Sequence, residues 1–220
     1  MKIISFVNQK GGAGKSILAL NMAVLAEREG EKVALLDLDP QGTILHWYDT
    51  REVETPAVVG AKDVGKLTDA LGKLEAAGFS VVVIDTKGED AHATRAAMEA
   101  ADLCLIPIRP AGPDLHSSRT TMEALRAMGR NFALIINQAS PNKAARITER
   151  VAMGLTAFGV VLPTAMASRV DYQNAYALGQ GVLEYDPQGK AAEEVRAMWG
   201  WVRKHIESGA ERKEVQRGAA

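Results

Sequence analysis

A glycine-rich segment lies near the start of the sequence and reads Gln9-Lys10-Gly11-Gly12-Ala13-Gly14-Lys15-Ser16. It directly follows an apolar run, Lys2–Asn8, and opens a helix-length stretch. Glycines let backbone N–H groups converge on an anion, and the start of a helix adds a partial positive charge, so the segment predicts a phosphate-binding loop. In such a loop Lys15 reaches the β- and γ-phosphates, and the Ser16 hydroxyl ligates Mg²⁺. The usual G-x-x-x-x-G-K-[ST] pattern fails at its first glycine, because Gln9 stands there, and an additional lysine, Lys10, lies inside the loop.

Beyond this loop, apolar runs alternate with helix-length amphipathic stretches along the chain. The predicted strands are Lys2–Asn8, Lys32–Leu38, Ser80–Asp85, Leu103–Ile108, Phe132–Asn137 and Gly159–Leu162. The predicted helices include Ser16–Glu29, Asp63–Ala77, Asp90–Ala101 and Asp114–Met128. Continuous apolar runs are typical of parallel strands that are covered on both faces. The pattern therefore predicts an α/β fold: a single-domain, doubly wound, mostly parallel sheet with helices on both faces.

Composition excludes several classes of protein. The chain has 220 residues, 47% of them apolar and 24% charged, with a net charge of −1, which is an ordinary balance for a globular protein. A single cysteine, Cys104, excludes a disulfide framework and a four-thiolate metal site within one chain. No apolar run approaches the roughly 20 residues of a membrane-spanning helix, and the first apolar run is too short for a signal peptide, so we expect a cytoplasmic protein. We expect one domain over residues 1–207 and a frayed polar tail over 208–220.

The motif K-G-G-A-G-K-S, preceded by N-Q, resembles the deviant Walker A box of the ParA/Soj partition ATPases, a group that includes MinD, MipZ and VirC1-like proteins. The resemblance covers nearly the whole chain. Its later landmarks are Leu36-Asp37-Leu38-Asp39-Pro40-Gln41-Gly42, Val83-Ile84-Asp85-Thr86, Ile135-Ile136-Asn137 and Glu184-Tyr185-Asp186-Pro187. It implies a P-loop ATPase with weak, partner-stimulated activity that uses ATP and Mg²⁺. It also implies a homodimer that encloses two ATP molecules, in which Lys10 crosses the interface to the nucleotide of the other subunit.

Site residues follow from these motifs and from the resemblance. The run Val81–Asp85 is a Walker B pattern, in which the carboxylate can hold a magnesium-bound water. The expected metal-site residues are Ser16, Asp37 and Asp85. The expected nucleotide-binding residues are Gly11, Gly12, Ala13, Gly14, Lys15, Ser16, Asn137 and Pro163, with Asn137 reading adenine and Pro163 assigned by family position alone. The expected catalytic residues are Lys10, Lys15 and Asp39, with Asp39 positioning the attacking water. Lys87 departs from the family pattern and leaves the local switch geometry open, and we expect its side chain to be exposed.

Positive charge is concentrated in one part of the sequence. Residues 109–150 carry seven basic and three acidic side chains, although the whole chain is nearly neutral. The resemblance implies that an ATP-bound dimer binds DNA without sequence preference, becomes nucleoid-associated and works with a ParB-like or other adaptor. The candidate DNA-binding residues are Lys143, Arg146, Arg150 and Arg169. Because the loop begins at residue 10, we expect no helix-turn-helix domain before it and no operator-specific reading of DNA.

Other interpretations make different demands on the sequence. A nitrogenase iron protein needs two cluster cysteines in each subunit. Cys104 is the single cysteine of this sequence, so that interpretation is excluded. A MinD-like membrane-positioning ATPase needs a terminal amphipathic helix. The stripe Val195, Met198, Trp199, Val202 and Ile206 is of that kind, but we expect it to pack on the sheet and expect no stable membrane association. A metabolic synthetase of the dethiobiotin-synthetase type shares the fold and stays an alternative.

Overall fold

A computed structural model of the chain describes residues 1–60, 66–88, 91–142 and 146–218. The strands are β1 (Lys2–Phe6), β2 (Val33–Asp37), β3 (Ala57–Gly60), β4 (Val81–Asp85), β5 (Leu103–Ile108), β6 (Phe132–Ile136) and β7 (Val160–Val161). The helices are α1 (Lys15–Arg28), α2 (Thr43–Asp49), α3 (Leu67–Ala76), α4 (Ala91–Ala100), α5 (Gly112–Ala127), α6 (Ile147–Leu155), α7 (Val170–Ala177), α8 (Val182–Tyr185) and α9 (Lys190–Gly218).

The described strands form one sheet in the order β3-β2-β4-β1-β5-β6-β7, and every pairing in it is parallel. The strand β1 lies between β4 and β5, so the loop that follows it opens at the carboxyl edge in the middle of the sheet. Open parallel sheets place their ligand crevice at this edge. The predicted doubly wound α/β fold is thereby confirmed.

Alternate residues of the strands pack on opposite faces of the sheet. On one face Leu35 and Val83 join the core that α1 and α9 cover. On the other face Leu36 and Ile84 pack with α3 and α4, while Ile106 packs with α5. Burial on both faces explains why the strands read as continuous apolar runs rather than alternating ones.

The structure differs from the sequence-based expectations mainly at the edges of the sheet. The sequence does not predict strand β3, because Ala57–Gly60 is a short, half-buried edge strand that pairs with β2 alone. At the opposite edge, β7 keeps only Val160–Val161 of the predicted Gly159–Leu162. The start of the predicted helix Asp63–Ala77 falls partly outside the described residues, and α3 begins at Leu67. The backbone of α9 is helical to Gly218, so fraying of the segment from residue 208 stays a prediction.

The apolar stripe of α9 packs against the core as predicted. Val195, Met198, Trp199 and Val202 are almost completely buried in the cluster that includes α1, and the Trp199 indole N–H donates to Glu29. Within the described ranges, no helix combines the length and the apolarity that crossing a bilayer requires.

Candidate functional site

The loop between β1 and α1 has the backbone geometry that its glycines suggest. Gly12 and Gly14 have φ angles of 75° and 86°, which side chains other than glycine rarely adopt, and Gly14 is the N-cap of α1. A Cβ atom on Gly14 would collide with the side-chain amide of Asn137. The loop and the start of α1 form one wall of a cleft of about 290 Å³, whose other wall includes Asp39, Thr86 and Gly88. The first backbone N–H groups of α1 therefore face a space into which a phosphate fits.

Lys15 lies inside this cleft and is only 7% exposed. Its ammonium lies 3.4 Å from the carbonyl oxygen of Lys10, to which it donates. Burial lowers the pKa of Lys15, and the carboxylates of Asp85 and Asp39 offset part of that effect. A largely buried cation whose ammonium makes this one long hydrogen bond to described residues is suited to neutralise a phosphate anion.

Asp85, the last residue of β4, is fully buried. Burial raises the pKa of its carboxylate to about 7, and the nearby Ser16 hydroxyl opposes part of that rise. Neither carboxylate oxygen of Asp85 has a hydrogen-bond partner among the described residues. A buried, unpartnered carboxylate beside a hydroxyl that lines the cleft fits a hydrated Mg²⁺, whose ligands are oxygen atoms and waters.

Asp37 and Asp39 follow one another at the carboxyl end of β2 but have different surroundings. The carboxylate of Asp37 is buried and accepts hydrogen bonds from the backbone N–H groups of Asp39, Ile44 and Leu45, at 2.9, 3.0 and 3.3 Å. Burial raises the pKa of Asp37, and these hydrogen bonds oppose that rise. Asp39 is half-buried, lines the cleft and accepts a hydrogen bond from the backbone N–H of Gln41. The structure thus brings Asp39 to the cleft and ties Asp37 to the start of α2.

The segment after β4 packs closely on the glycine-rich loop. The Thr86 hydroxyl donates to the carbonyl oxygen of Phe6 at 2.9 Å. A Cβ atom on Gly88 would lie 2.7 Å from the carbonyl oxygen of Gln9, so the close approach requires glycine. Between them Lys87 is half-buried and lines the cleft, and its carbonyl oxygen accepts from the Thr94 hydroxyl. The expectation that Lys87 is exposed is therefore wrong, because the residue is half-buried in the wall of the cleft.

A second pocket, of about 210 Å³, adjoins the first across Gly14 and Ile17. Asn137 lines it, is 6% exposed and donates from its amide to the carbonyl oxygen of Ala13 at 2.7 Å. Pro163 is exposed and is not among the residues that line this pocket. Sequence reasoning missed Gln138, whose φ of 53° places it beside the loop and whose amide donates to Gly12. A pocket of this size beside a phosphate cleft is suited to a nucleotide base.

The predicted DNA-binding residues do not form one set in the structure. Arg146 is the N-cap residue of α6, Arg150 lies within that helix, and both are exposed. Arg169 instead lines the second pocket and makes two hydrogen bonds to Glu194, at 2.9 and 2.7 Å. Lys143 lies outside the described residues. Among the described candidates, therefore, only those on α6 present their charge to solvent.

Lys10 is held by a carboxylate of its own chain. Its ammonium lies 3.3 Å from Oδ2 of Asp114, which is in the first turn of α5. Oδ1 of the same carboxylate accepts from Nε of Arg109 at 2.9 Å. The backbone N–H of Lys10 donates to Asn8, whose amide reaches Pro107 and Ser118. Sequence reasoning did not find Arg109, Asp114 or the role of Asn8, because these contacts join segments about a hundred residues apart.

Comparison with known proteins places this arrangement in a family. The sequence pattern of the CobQ/CobB/MinD/ParA nucleotide binding domain matches residues 4–171. The chain is 30% identical over 198 residues to the maintenance of carboxysome distribution protein A of Halothiobacillus neapolitanus, a match that covers 86% of this chain and 90% of that protein. A shorter match, 54% identical over 39 residues, covers 18% of this chain and 16% of the chromosome-partitioning ATPase Soj of Thermus thermophilus.

Solved structures agree on the fold. MinD in the MinC:MinD cell division protein complex of Aquifex aeolicus superimposes with a TM-score of 0.76 at 16% identity, over 93% of this chain and 96% of that one. The chain belongs to the CobQ/CobB/MinD/ParA family of nucleotide-binding domains. The glycine-rich loop, Lys15 and the buried Asp85 described above all lie within the matched region.

Proposed function

We propose that the chain is an ATP-dependent switch ATPase of the partition and positioning type, which dimerises around ATP and Mg²⁺. The observation that carries this proposal is the buried Asp85, whose carboxylate has no hydrogen-bond partner in the described part of the chain. It lies near Ser16, beside the cleft that also holds Lys15 and Asp39. The maintenance of carboxysome distribution protein A and the ATPase Soj support it as relatives.

Each part of the cleft has a role in this proposal. Backbone N–H groups of Gly11–Ser16 hold the phosphates and Lys15 neutralises their charge. Ser16 and Asp85 would hold Mg²⁺, which would neutralise negative charge on the phosphates and so ease the approach of a nucleophile. Asp39 orients the attacking water, which suits a loose transition state that needs positioning more than a strong base. Asp37 acts indirectly: its carboxylate accepts a hydrogen bond from the backbone N–H of Asp39 and so holds the loop that carries Asp39.

Lys10 links dimerisation to the nucleotide in this proposal. This side chain is 30% exposed, and its ammonium, which is paired with Asp114, exchanges that carboxylate for the triphosphate on a second copy. Such a contact ties pairing to the presence of the γ-phosphate, and loss of that phosphate returns the protein to monomers. The adenine base occupies the pocket beside Asn137, whose amide suits the donor and acceptor pattern of adenine.

Turnover measurements test the enzymatic part of this proposal. Lys15→Ala is expected to abolish binding of a fluorescent ATP analogue. Asp39→Ala is expected to retain that binding and to lower phosphate release about 100-fold, because the water is no longer oriented. Asp69→Asn, which alters an exposed carboxylate of α3, is the control. Normal turnover by Asp39→Ala, or release of ADP that requires a small metabolite as in a dethiobiotin-type synthetase, would contradict it.

DNA binding by the ATP-bound dimer is the second part of the proposal. The exposed Arg146 and Arg150 on α6 support it, and a two-fold axis doubles their number. Binding of a random duplex is expected only with ATP, with a log–log salt slope of about −0.9 for each phosphate that the protein neutralises. The double substitution Arg146→Gln and Arg150→Gln is expected to reduce both the affinity and the steepness of this slope, whereas Arg95→Gln, on an exposed arginine of α4, leaves both unchanged. Equal binding without nucleotide would count against this part.

The proposed cellular role is to position a cargo, with an adaptor protein of the ParB type that accelerates hydrolysis. The names of the relatives, which refer to carboxysome distribution and chromosome partitioning, support a role of this class. In this role the protein is cytoplasmic and lies on the nucleoid while ATP is bound. Stimulation of turnover by DNA together with the adaptor is the expected result, and stimulation by liposomes alone would favour a membrane-positioning ATPase instead.

A further inference from the structure

Two cations share one buried carboxylate beside the glycine-rich loop. The side chain of Asp114 is 5% exposed. Nε of Arg109 lies 2.9 Å from its Oδ1, and Nζ of Lys10 lies 3.3 Å from its Oδ2. The proposed function uses Lys10 but gives Arg109 no role. Arg109 comes to the site only through folding, since it follows β5 and lies far from the loop in sequence.

Arg109 is placed firmly next to the loop. Its backbone carbonyl oxygen accepts from Ala111 at 2.7 Å in the turn that leads into α5. Its Nη1 lies 4.0 Å from the position that a Cβ atom on Gly12 would take. The nearby Pro107 accepts a hydrogen bond from Asn8 at 2.8 Å, which also joins this segment to the loop.

Transfer of Lys10 to a second copy changes the surroundings of Asp114. A buried carboxylate that loses its partner is strongly unfavourable, because desolvation is no longer compensated. Arg109 keeps its own hydrogen bond to Oδ1, and a guanidinium has further donors that can turn to Oδ2. The N-terminus of α5 also favours the carboxylate, although less than a direct ion pair does. Among the described residues, Arg109 is therefore the cation that keeps this carboxylate paired after Lys10 departs.

We propose that Arg109 is a positioning residue: it is the counter-ion that remains on Asp114 when Lys10 crosses to the partner's triphosphate, and it thereby sets how strongly ATP drives dimerisation. This proposal rests on the proposed function, in which Lys10 acts across the interface. Without Arg109, Lys10 is the sole cation that the described part of the chain places on this buried carboxylate, and it is retained in its own chain.

Sedimentation velocity with Mg-AMPPNP tests the proposal on the full chain. Arg109→Gln is expected to raise the dimer dissociation constant about tenfold, while ADP binding by the monomer stays within about twofold. Arg109→Lys, which keeps the charge, is expected to restore most of the dimerisation. Adding Asp114→Asn to Arg109→Gln removes the carboxylate that retains Lys10, so dimerisation is expected to return to within about threefold of the original chain.

The control is Arg95→Gln, which removes an arginine from an exposed ion pair with Glu99 and is expected to have no effect. Equal dimerisation by Arg109→Gln, or failure of the double variant to recover, would overturn the proposal. If Arg109→Gln does not fold, as judged by thermal melting, a tenfold weakening of dimerisation in Arg109→Lys or in the double variant would also overturn it. Absence of an AMPPNP-dependent dimer in the unmodified chain would instead be a failure of the proposed function, and so the two failures are distinguishable.

Discussion

Asp85 is the residue at which stability and function conflict. A fully buried carboxylate without a hydrogen-bond partner among the described residues lowers the stability of the folded chain when it is ionised. The same desolvation raises its pKa to about 7. Folded and unfolded chains therefore bind protons differently at this position. The same feature that weakens the protein without its ligands is the one that suits it to a divalent cation.

This conflict predicts an unusual pH dependence of folding. Because the folded pKa is raised above its usual value near 4, the folded state is favoured when Asp85 is protonated. The free energy of unfolding without Mg²⁺ and nucleotide is expected to fall as pH rises from about 4 to about 7, by at most about 4 kcal/mol. Urea denaturation at pH 4 and pH 8 measures the change.

Asp85→Asn is expected to remove most of this pH dependence and to weaken nucleotide binding in the presence of Mg²⁺. The exposed Asp69→Asn is the matched control and is expected to retain both. A pH profile that is the same in the Asp85→Asn variant and the original chain would show that another group is responsible.

Single residues also mark the limit of what the sequence predicts. The sequence could predict that Gly14, Lys15 and Ser16 share one loop at the start of α1, because these residues are neighbours in the chain. Arg109 and Asp114 could not, because their contacts with Lys10 join β1 to α5 across about a hundred residues. Arg169 is a candidate for DNA binding on its charge alone, and its pairing with Glu194 on α9 depends on tertiary structure.

At the scale of elements, the start of α2 depends on a side chain that lies outside the helix. Gly42, the N-cap residue, has no side chain that could accept a hydrogen bond, and Asp37 at the end of β2 accepts from Ile44 and Leu45 instead. This contact ties α2 to the sheet beside Asp39. It gives Asp37 a role in holding the cleft in shape.

Asp37→Ala is accordingly expected to lower the free energy of unfolding by about 1–3 kcal/mol, because it leaves buried backbone N–H groups without an acceptor. Urea denaturation measures this loss. Asp37→Asn retains one oxygen acceptor and is expected to lose less. If both variants are as stable as the original chain but bind Mg²⁺ more weakly, the direct metal role that the sequence predicts for Asp37 is the better account.

The central strands and major helices could be predicted because burial on both faces gives long apolar runs. The strand β3 could not, because its four residues are half-buried or exposed at an edge and carry no distinctive pattern. The apolar stripe of α9 is ambiguous between a membrane and the core on periodicity alone. Its burial with α1 follows from tertiary packing, which periodicity does not reveal.

At the scale of the whole molecule, the parallel sheet brings the ends of β1, β2 and β4 to one edge and so assembles the cleft from three separate motifs. Lys10 belongs to the glycine-rich loop, but its ammonium is paired with Asp114 and does not line the cleft of its own chain. In the proposed function a second copy of the chain completes the site, so that nucleotide state and pairing become one equilibrium.

The most direct measurement is sedimentation velocity of the original chain and of Lys10→Ala, each with Mg-ADP and with Mg-AMPPNP. We predict that the original chain doubles its mass with Mg-AMPPNP alone. We predict that Lys10→Ala binds the same analogue yet stays a monomer. A monomer under every condition, or a Lys10→Ala variant that dimerises as well as the original chain, would contradict the account.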